Sequence, residues 1–148
     1  MPDAGDPHDL SRFLRAQESV YESALAELRS GRKRTHWMWF VFPQLDGLGF
    51  SAASKRYAIR GLDEALAYLA HPVLGPRLIA CTEAVLQVEG RSASEILGSP
   101  DDMKLQSCAT LFARASPAGS VFERLLEKFY DGGRDGETLR LMGAAPQR

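Results

Sequence analysis

The fold class of this chain depends on one segment, His36-Trp37-Met38-Trp39-Phe40-Val41-Phe42-Pro43-Gln44. Its uninterrupted apolar run, residues 37–42, and its aromatic content are typical of a strand that is buried on both faces. A strand needs a partner, however, and no comparable run appears later in the chain. We therefore predict that the segment forms a short buried helix ended by Pro43, because proline cannot continue a helix.

The rest of the chain carries helical patterns. Apolar residues recur at steps of three and four, and the first such helix is predicted over residues 9–29, with Asp9 as its cap and Gly31 as its stop. The spacings of Ser92 with Glu95 and of Ser120 with Glu123 are those of capping boxes.

These patterns predict an all-α fold, a single compact domain of roughly six to eight helices. The domain is expected to span residues 9–143, after a disordered lead-in at residues 1–8 and before a C-terminal tail at residues 144–148. The expected core contains large apolar residues of the capped segments, namely Trp37, Tyr68, Leu78, Leu111, Phe112, Leu125 and Phe129.

Composition excludes several classes of protein. The chain has 148 residues, 45% of them apolar, and a net charge of -1. This balance argues against nucleic acid as a partner, and no apolar run approaches the roughly 18 to 20 residues of a membrane helix. Without a secretory signal pattern at the N-terminus, the expected location is cytoplasmic.

Cysteine and histidine patterns give no metal site. Cys81 and Cys108 are too few for a disulfide framework or a four-ligand zinc site, so we predict two reduced core thiols. The three histidines occur in separate contexts without a metal-binding spacing. We predict neither a metal nor a cofactor.

A glycine-rich turn follows the aromatic segment. Gly47-Leu48-Gly49-Phe50-Ser51-Ala52 matches the G-x-G-x-x-A phosphate-binding pattern. A dinucleotide-binding unit also needs a continuous strand before the turn and a second parallel strand after the helix, and the chain offers neither. Two interpretations remain open, backbone amides that favour an anion ahead of a helix, or a tight turn without a ligand.

Basic residues stand on both sides of these motifs. Arg29 and residues 32–34 precede the aromatic segment, where they form either a phosphate contact beside Trp37 or Trp39 or a solvated helix terminus. Lys104 lies in a first helical turn that favours anions, so it is either one half of a surface ion pair or a cation turned into a pocket.

Polar groups among aromatic residues are costly to bury unless a ligand or a hydrogen-bond network satisfies them. On this basis, and because serine and tyrosine hydroxyls recur at steps of three after the glycine turn, we predict a ligand-binding site. Its predicted residues are His36, Trp39, Gln44, Ser54, Tyr57 and Lys104. No catalytic residue is assigned.

Four strings of the chain are long and unusual: residues 35–49, 54–59, 71–78 and 102–107. With them the sequence resembles the bacterial family labelled domain of unknown function 1810, from Asp9 to Gly143. The resemblance implies an all-helical single domain and no established activity.

The second half also has a more distant similarity to NADAR domains, in the order of its helices around Lys104, residues 108–113, Lys128 and Thr138. NADAR domains are associated with ADP-ribose, and they carry a glutamate where residues 51–57 of this chain have no carboxylate. The similarity implies a small phosphorylated or nucleotide-like ligand of the ADP-ribose type, without the same hydrolysis. Together with the glycine turn, the hydroxyl groups, the aromatic residues and Lys104, it leads us to expect binding of such a ligand, with hydrolysis of an ADP-ribose type bond as a further expectation. The alternative is a non-catalytic protein–protein interaction module.

Overall fold

The computed structural model describes residues 5–143, which form ten α-helices. Their bounds are α1 Ser11–Gln17, α2 Tyr21–Arg29, α3 Met38–Val41, α4 Ala52–Arg56, α5 Leu62–Ala70, α6 Leu74–Leu86, α7 Ala93–Leu97, α8 Asp101–Arg114, α9 Val121–Tyr130 and α10 Gly136–Leu141. Within this range no strand forms, and Leu45 and Ile59 make an isolated parallel bridge. The predicted all-α fold is therefore confirmed. The tail predicted at residues 144–148 and the first four residues of the lead-in lie outside the described range.

Helix α8 lies at the centre of the domain, in contact with α5, α7, α9 and α10. Every residue from 107 to 113 on it is buried, because neighbours cover it on several sides. Helix α6 packs on α2, α5 and α9 and completes the core. Of the predicted core residues, Phe129 is half-buried and the other members are buried.

Both cysteines are free and buried, Cys81 on α6 and Cys108 on α8, as predicted. Burial raises the pKa of the Cys81 thiol to about 12 and that of Cys108 well above its usual value, because an apolar environment disfavours the thiolate. Neither thiol has the low pKa of a nucleophilic cysteine.

The segment that decides the fold class forms a helix, as predicted. Helix α3 covers Met38–Val41, and Phe42 leaves the helical conformation immediately before Pro43. Trp37 and Phe42 are almost wholly buried, with ring centroids 6.1 Å apart. A single turn of helix thus anchors the aromatic segment in the core without the partner that a strand requires.

The prediction of one helix over residues 9–29 is wrong. The chain turns at residues 18–20, and the amide of Val20 donates to the carbonyl of Gln17 at the end of α1. The Gln17 side chain is buried and donates to the carbonyl of Phe40 and to the hydroxyl of Tyr68. These contacts with distant residues fix the end of α1, which the periodicity of the apolar residues does not reveal.

One predicted cap is replaced by a neighbouring residue. Asp6, in the predicted lead-in, accepts hydrogen bonds from the amides of Leu10 and Ser11 ahead of α1, whereas the predicted cap Asp9 has a φ of 51°. Gly31, with a φ of 83°, follows the end of α2 as predicted.

Of the two predicted capping boxes, the one at α7 forms completely. The Ser92 hydroxyl accepts from the amide of Glu95, whose carboxylate accepts from the amide of Ser92. At α9 the Ser120 hydroxyl also accepts from the Glu123 amide, but the Glu123 carboxylate accepts from Gly119.

A buried ion pair links α1 with α5. Arg12 and Glu64 are 5% and 2% exposed, and the Arg12 Nη2 to Glu64 Oε2 distance is 2.7 Å. The Arg12 guanidinium also donates to four main-chain carbonyls, those of His8, Asp9, Arg56 and Ala58. The Arg12–Glu64 pair thereby holds α1 against the segment that leads into α5.

Helices α5 and α6 approach each other very closely at Gly75. A Cβ atom added there would lie 2.1 Å from the Leu69 carbonyl oxygen, well inside any allowed contact. Glycine at this position therefore sets the packing of the two helices. No helix between residues 5 and 143 has the length and apolar character needed to cross a membrane.

Candidate functional site

Two lysines share one carboxylate at the start of α8. Lys33 Nζ lies 3.0 Å from Asp101 Oδ2, and Lys104 Nζ lies 3.1 Å from Asp101 Oδ1. The side chains of Lys33, Asp101 and Lys104 are 8%, 19% and 23% exposed, so the cluster is shielded but reachable. We call these three residues the lysine bridge.

Each ammonium of the lysine bridge also lies over a tryptophan. Lys104 Nζ is 4.2 Å from the ring centroid of Trp39, and Lys33 Nζ is 5.0 Å from that of Trp37. Both distances are within the range of cation–π attraction, which strengthens when the cation loses part of its hydration. The aromatic faces therefore hold the two positive charges in place.

Glu27 on α2 organises the loop that carries Lys33. Its carboxylate accepts from the amides of Arg34 and Thr35, from the Thr35 hydroxyl and from Trp37 Nε1. Burial acts to raise the pKa of Glu27, but the hydrogen bonds outweigh it and lower the pKa from 4.5 to about 2. The charged carboxylate thus fixes the orientation of the Trp37 indole.

The glycine turn packs against Trp39. A Cβ atom at Gly49 would lie 2.7 Å from Ser54 Cβ and 3.0 Å from Trp39 Cη2, so only glycine allows this approach. At the next helix, α4, the Ser51 hydroxyl accepts from the Ser54 amide, and the Ser54 hydroxyl donates to the Ser51 carbonyl. The turn brings a serine and a tryptophan together, while Ser51 itself caps the helix.

Among the described residues, two buried side-chain atoms have no hydrogen-bond partner, Gln44 Nε2 and Asp102 Oδ1. Gln44 is 5% exposed and lies in the segment that leads to the glycine turn. Asp102 follows the lysine bridge residue Asp101, and its main-chain carbonyl accepts from the Tyr130 hydroxyl. Buried polar atoms are nearly always satisfied, so a donor and an acceptor left without partners are typical of positions that meet a ligand or water.

The structure brings some of the six predicted site residues together. Trp39 and Lys104 are in contact, and Ser54 and Trp39 both lie close to Gly49. Gln44 is buried with its amide nitrogen unpartnered.

The other two predicted residues have different surroundings. Tyr57 packs against Phe40 and Phe13, with centroid distances of 5.3 and 5.9 Å. His36 is exposed rather than packed among the aromatic side chains that follow it.

Two residues of the lysine bridge, Lys33 and Asp101, are not among the six predicted site residues. The sequence distinguishes Lys33 from its basic neighbours in no way, yet it turns inward while Arg32 and Arg34 remain exposed. Asp101 and Lys104 stand three apart on one helix, which is a visible signal, whereas the approach of Lys33 has no local signature.

Comparison with known proteins places the chain in a family. The family model described as "Protein of unknown function (DUF1810)" matches residues 7–142. The chain belongs to the DUF1810 family. The crystal structure of the conserved hypothetical protein Rv1873 from Mycobacterium tuberculosis is similar to this DUF1810 chain, with 58% identity and a TM-score of 0.92. The match covers 95% of this chain and all of that one.

No curated protein matches this DUF1810 chain. The resemblance to DUF1810 expected from the sequence is thus confirmed, and the more distant similarity to NADAR domains is not shown by these matches.

Proposed function

We propose that this DUF1810 protein binds a small phosphorylated or nucleotide-like ligand of the ADP-ribose type beside Trp39 and Lys104. The observation that carries the proposal is the Lys104 ammonium, 4.2 Å from the Trp39 ring centroid and 3.1 Å from Asp101. A fixed cation next to an aromatic side chain suits a ligand that combines a phosphate with a base, since the ammonium supplies donors and the indole an apolar surface.

The surroundings of Trp39 favour a polar ligand. The buried Gln44 amide can donate to a ligand hydroxyl or carbonyl, and such a bond would relieve the cost of an unsatisfied buried donor. Gly49 keeps the turn close to the indole, because any side chain there would collide with Ser54. The proposal thus assigns the ligand one cation, one aromatic surface and, from Gln44, one amide donor.

Hydrolysis of the ligand is the second part of the proposal. It requires a group that takes a proton from the attacking water, while the bond to the leaving group breaks. Asp102 is the candidate base, because its Oδ1 atom is buried without a partner and the residue directly follows Asp101 in sequence. Loss of turnover in Asp102→Asn, with ligand binding retained, is the result expected of that role.

A thermal-shift and calorimetry screen with NAD, ADP-ribose and mononucleotides tests binding. A ligand that binds the folded state must raise the unfolding midpoint. Lys104→Met should weaken binding about tenfold, the effect of losing one charge-assisted hydrogen bond. The control is Arg124→Met, which removes an exposed charge on α9 and should leave binding unchanged. Equal affinity in wild type and Lys104→Met would contradict the proposal.

The second candidate is a protein–protein interaction module. It is favoured by two exposed apolar side chains. Phe50 directly follows Gly49 in sequence and is 90% exposed, and Met103 directly precedes Lys104 and is 62% exposed. Large apolar side chains with such exposure are typical of contact surfaces when they occur together. A screen in which none of these ligands shifts the midpoint would favour this candidate over the first.

A further inference from the structure

We infer that Asp101 is an internal counter-ion that occupies an anion position between Lys33 and Lys104, and that a phosphoryl group of the ligand displaces it. This inference rests on the proposed function and deepens it. It assigns Lys33 to the site, although Lys33 lies 71 residues before Lys104 in sequence. It also explains why a carboxylate stands where the ligand anion is expected.

The geometry of the lysine bridge marks an anion position. Lys33 approaches one oxygen of Asp101 and Lys104 approaches the other, at 3.0 and 3.1 Å. A phosphoryl group also presents two oxygens on one centre, so it can accept from both ammonium groups in the same way. The tryptophans stand beside the two ammonium groups and keep them from following Asp101 when it leaves.

Hydrogen-bond capacity and charge both favour the exchange. Each ammonium has three donors, and the described contacts give each of them one carboxylate oxygen and one indole face. Two cations face one carboxylate, so the lysine bridge carries one positive charge in excess. A phosphoryl group brings more acceptor oxygens than a carboxylate and more negative charge.

Displacement of Asp101 needs little rearrangement. Asp101 is the first residue of α8, and no side chain caps this helix through a hydrogen bond. Its carboxylate can therefore rotate toward solvent without opening a helical turn. The N-terminus of α8 favours an anion in either arrangement, since the helix dipole is positive there.

Inorganic pyrophosphate is the probe, and Asp101→Asn is the central variant. Without Asp101 the two lysines repel each other, so the variant should unfold at a lower temperature than wild type in anion-free buffer. Pyrophosphate should restore the midpoint and bind the variant about tenfold more tightly than wild type, because it no longer competes with the carboxylate. Adding Lys33→Met or Lys104→Met to this variant should abolish the gain.

The matched control is Glu123→Gln, which removes a carboxylate of similar exposure from its 2.8 Å pair with Arg134. Only one cation faces Glu123 in that pair, so pyrophosphate should give no comparable gain. If Asp101→Asn folds only in the presence of pyrophosphate, the inference is supported. If it stays unfolded with and without the anion, or binds it no better than wild type, the inference is overturned.

The outcomes separate this inference from the proposed function. Nucleotide binding by wild type that weakens in Asp101→Asn would make Asp101 a positioning residue, and would overturn the inference while the proposed function stands. A pyrophosphate gain in Asp101→Asn without any nucleotide binding to wild type would overturn the proposed function and leave the two-lysine anion position standing.

Discussion

The Arg12–Glu64 pair and the lysine bridge both join charges that are distant in sequence, but they differ in how fully they are satisfied. The Arg12 guanidinium makes five hydrogen bonds with its five N–H donors, and the second oxygen of Glu64 accepts from the Arg60 amide. The lysine bridge retains unused donors, because each ammonium has three and the two share a single carboxylate.

This difference separates two uses of buried charge. A charged group whose hydrogen-bond donors and acceptors are all used has no capacity left for a ligand. Its interactions stabilise the packing of the fold instead. A partly bonded group near the surface keeps capacity for an incoming molecule at some cost in stability. The comparison therefore predicts a large loss of stability when Arg12 is removed from the first region and a small one when a single lysine is removed from the second.

The largest expected effect is that of Arg12→Met. Methionine leaves Glu64 charged and buried, and removal of one partner of such a pair costs about 3–5 kcal/mol. Urea unfolding of the variant should show this loss, and Arg15→Met, an exposed change on the same helix, should change stability by less than about 0.5 kcal/mol. A loss below about 1 kcal/mol in Arg12→Met would remove the distinction between the two regions.

Glu27 orders the loop that carries Lys33 of the lysine bridge. Its contribution to stability is expected to be intermediate in size and to depend on pH. Its pKa is lowered from 4.5 in the reference state to about 2, so the charged form stabilises the fold above pH 4.5. That contribution is lost as the pH falls from about 4.5 through about 2. The unfolding free energy of wild type should fall across this window more steeply than that of Glu27→Gln. Parallel curves would show that Glu27 does not hold the Trp37 loop through its charge.

The smallest effects are expected at two predicted site residues. Lys104→Met removes one half of an i,i+3 ion pair that is partly exposed, so its stability should change by less than about 1 kcal/mol. His36→Ala, at an exposed position, should stay within about 0.5 kcal/mol. A loss of about 2 kcal/mol or more in either variant by chemical unfolding would instead assign that side chain to the framework of the fold.

Local patterns predicted the helices well because capping and periodicity are properties of neighbouring residues. The helix over Met38–Val41 followed from Pro43 and the missing partner strand, and the Ser92 capping box followed from a three-residue spacing. The break at residues 18–20 could not be predicted, since it depends on Gln17 reaching Phe40 and Tyr68.

The candidate site was predictable only in part, because some of its contacts also join residues that are distant in sequence. Trp39 and Lys104 were proposed from their residue types, and the structure brings them into contact. Lys33 could not be separated from Arg32 and Arg34, because only tertiary packing decides which of three adjacent cations turns inward. Spacing also gave no indication that Arg12, on the first amphipathic helix, pairs with a carboxylate 52 residues later.

The close approach at Gly75 has a consequence for the gene. Every change in the first or second base of a glycine codon introduces a side chain or a stop, and any side chain at this position meets the Leu69 carbonyl. The base changes that the fold tolerates at this codon are therefore confined to the silent third position. The codon for Gly61, in extended backbone with no atom within 4 Å of a would-be Cβ, is free to change.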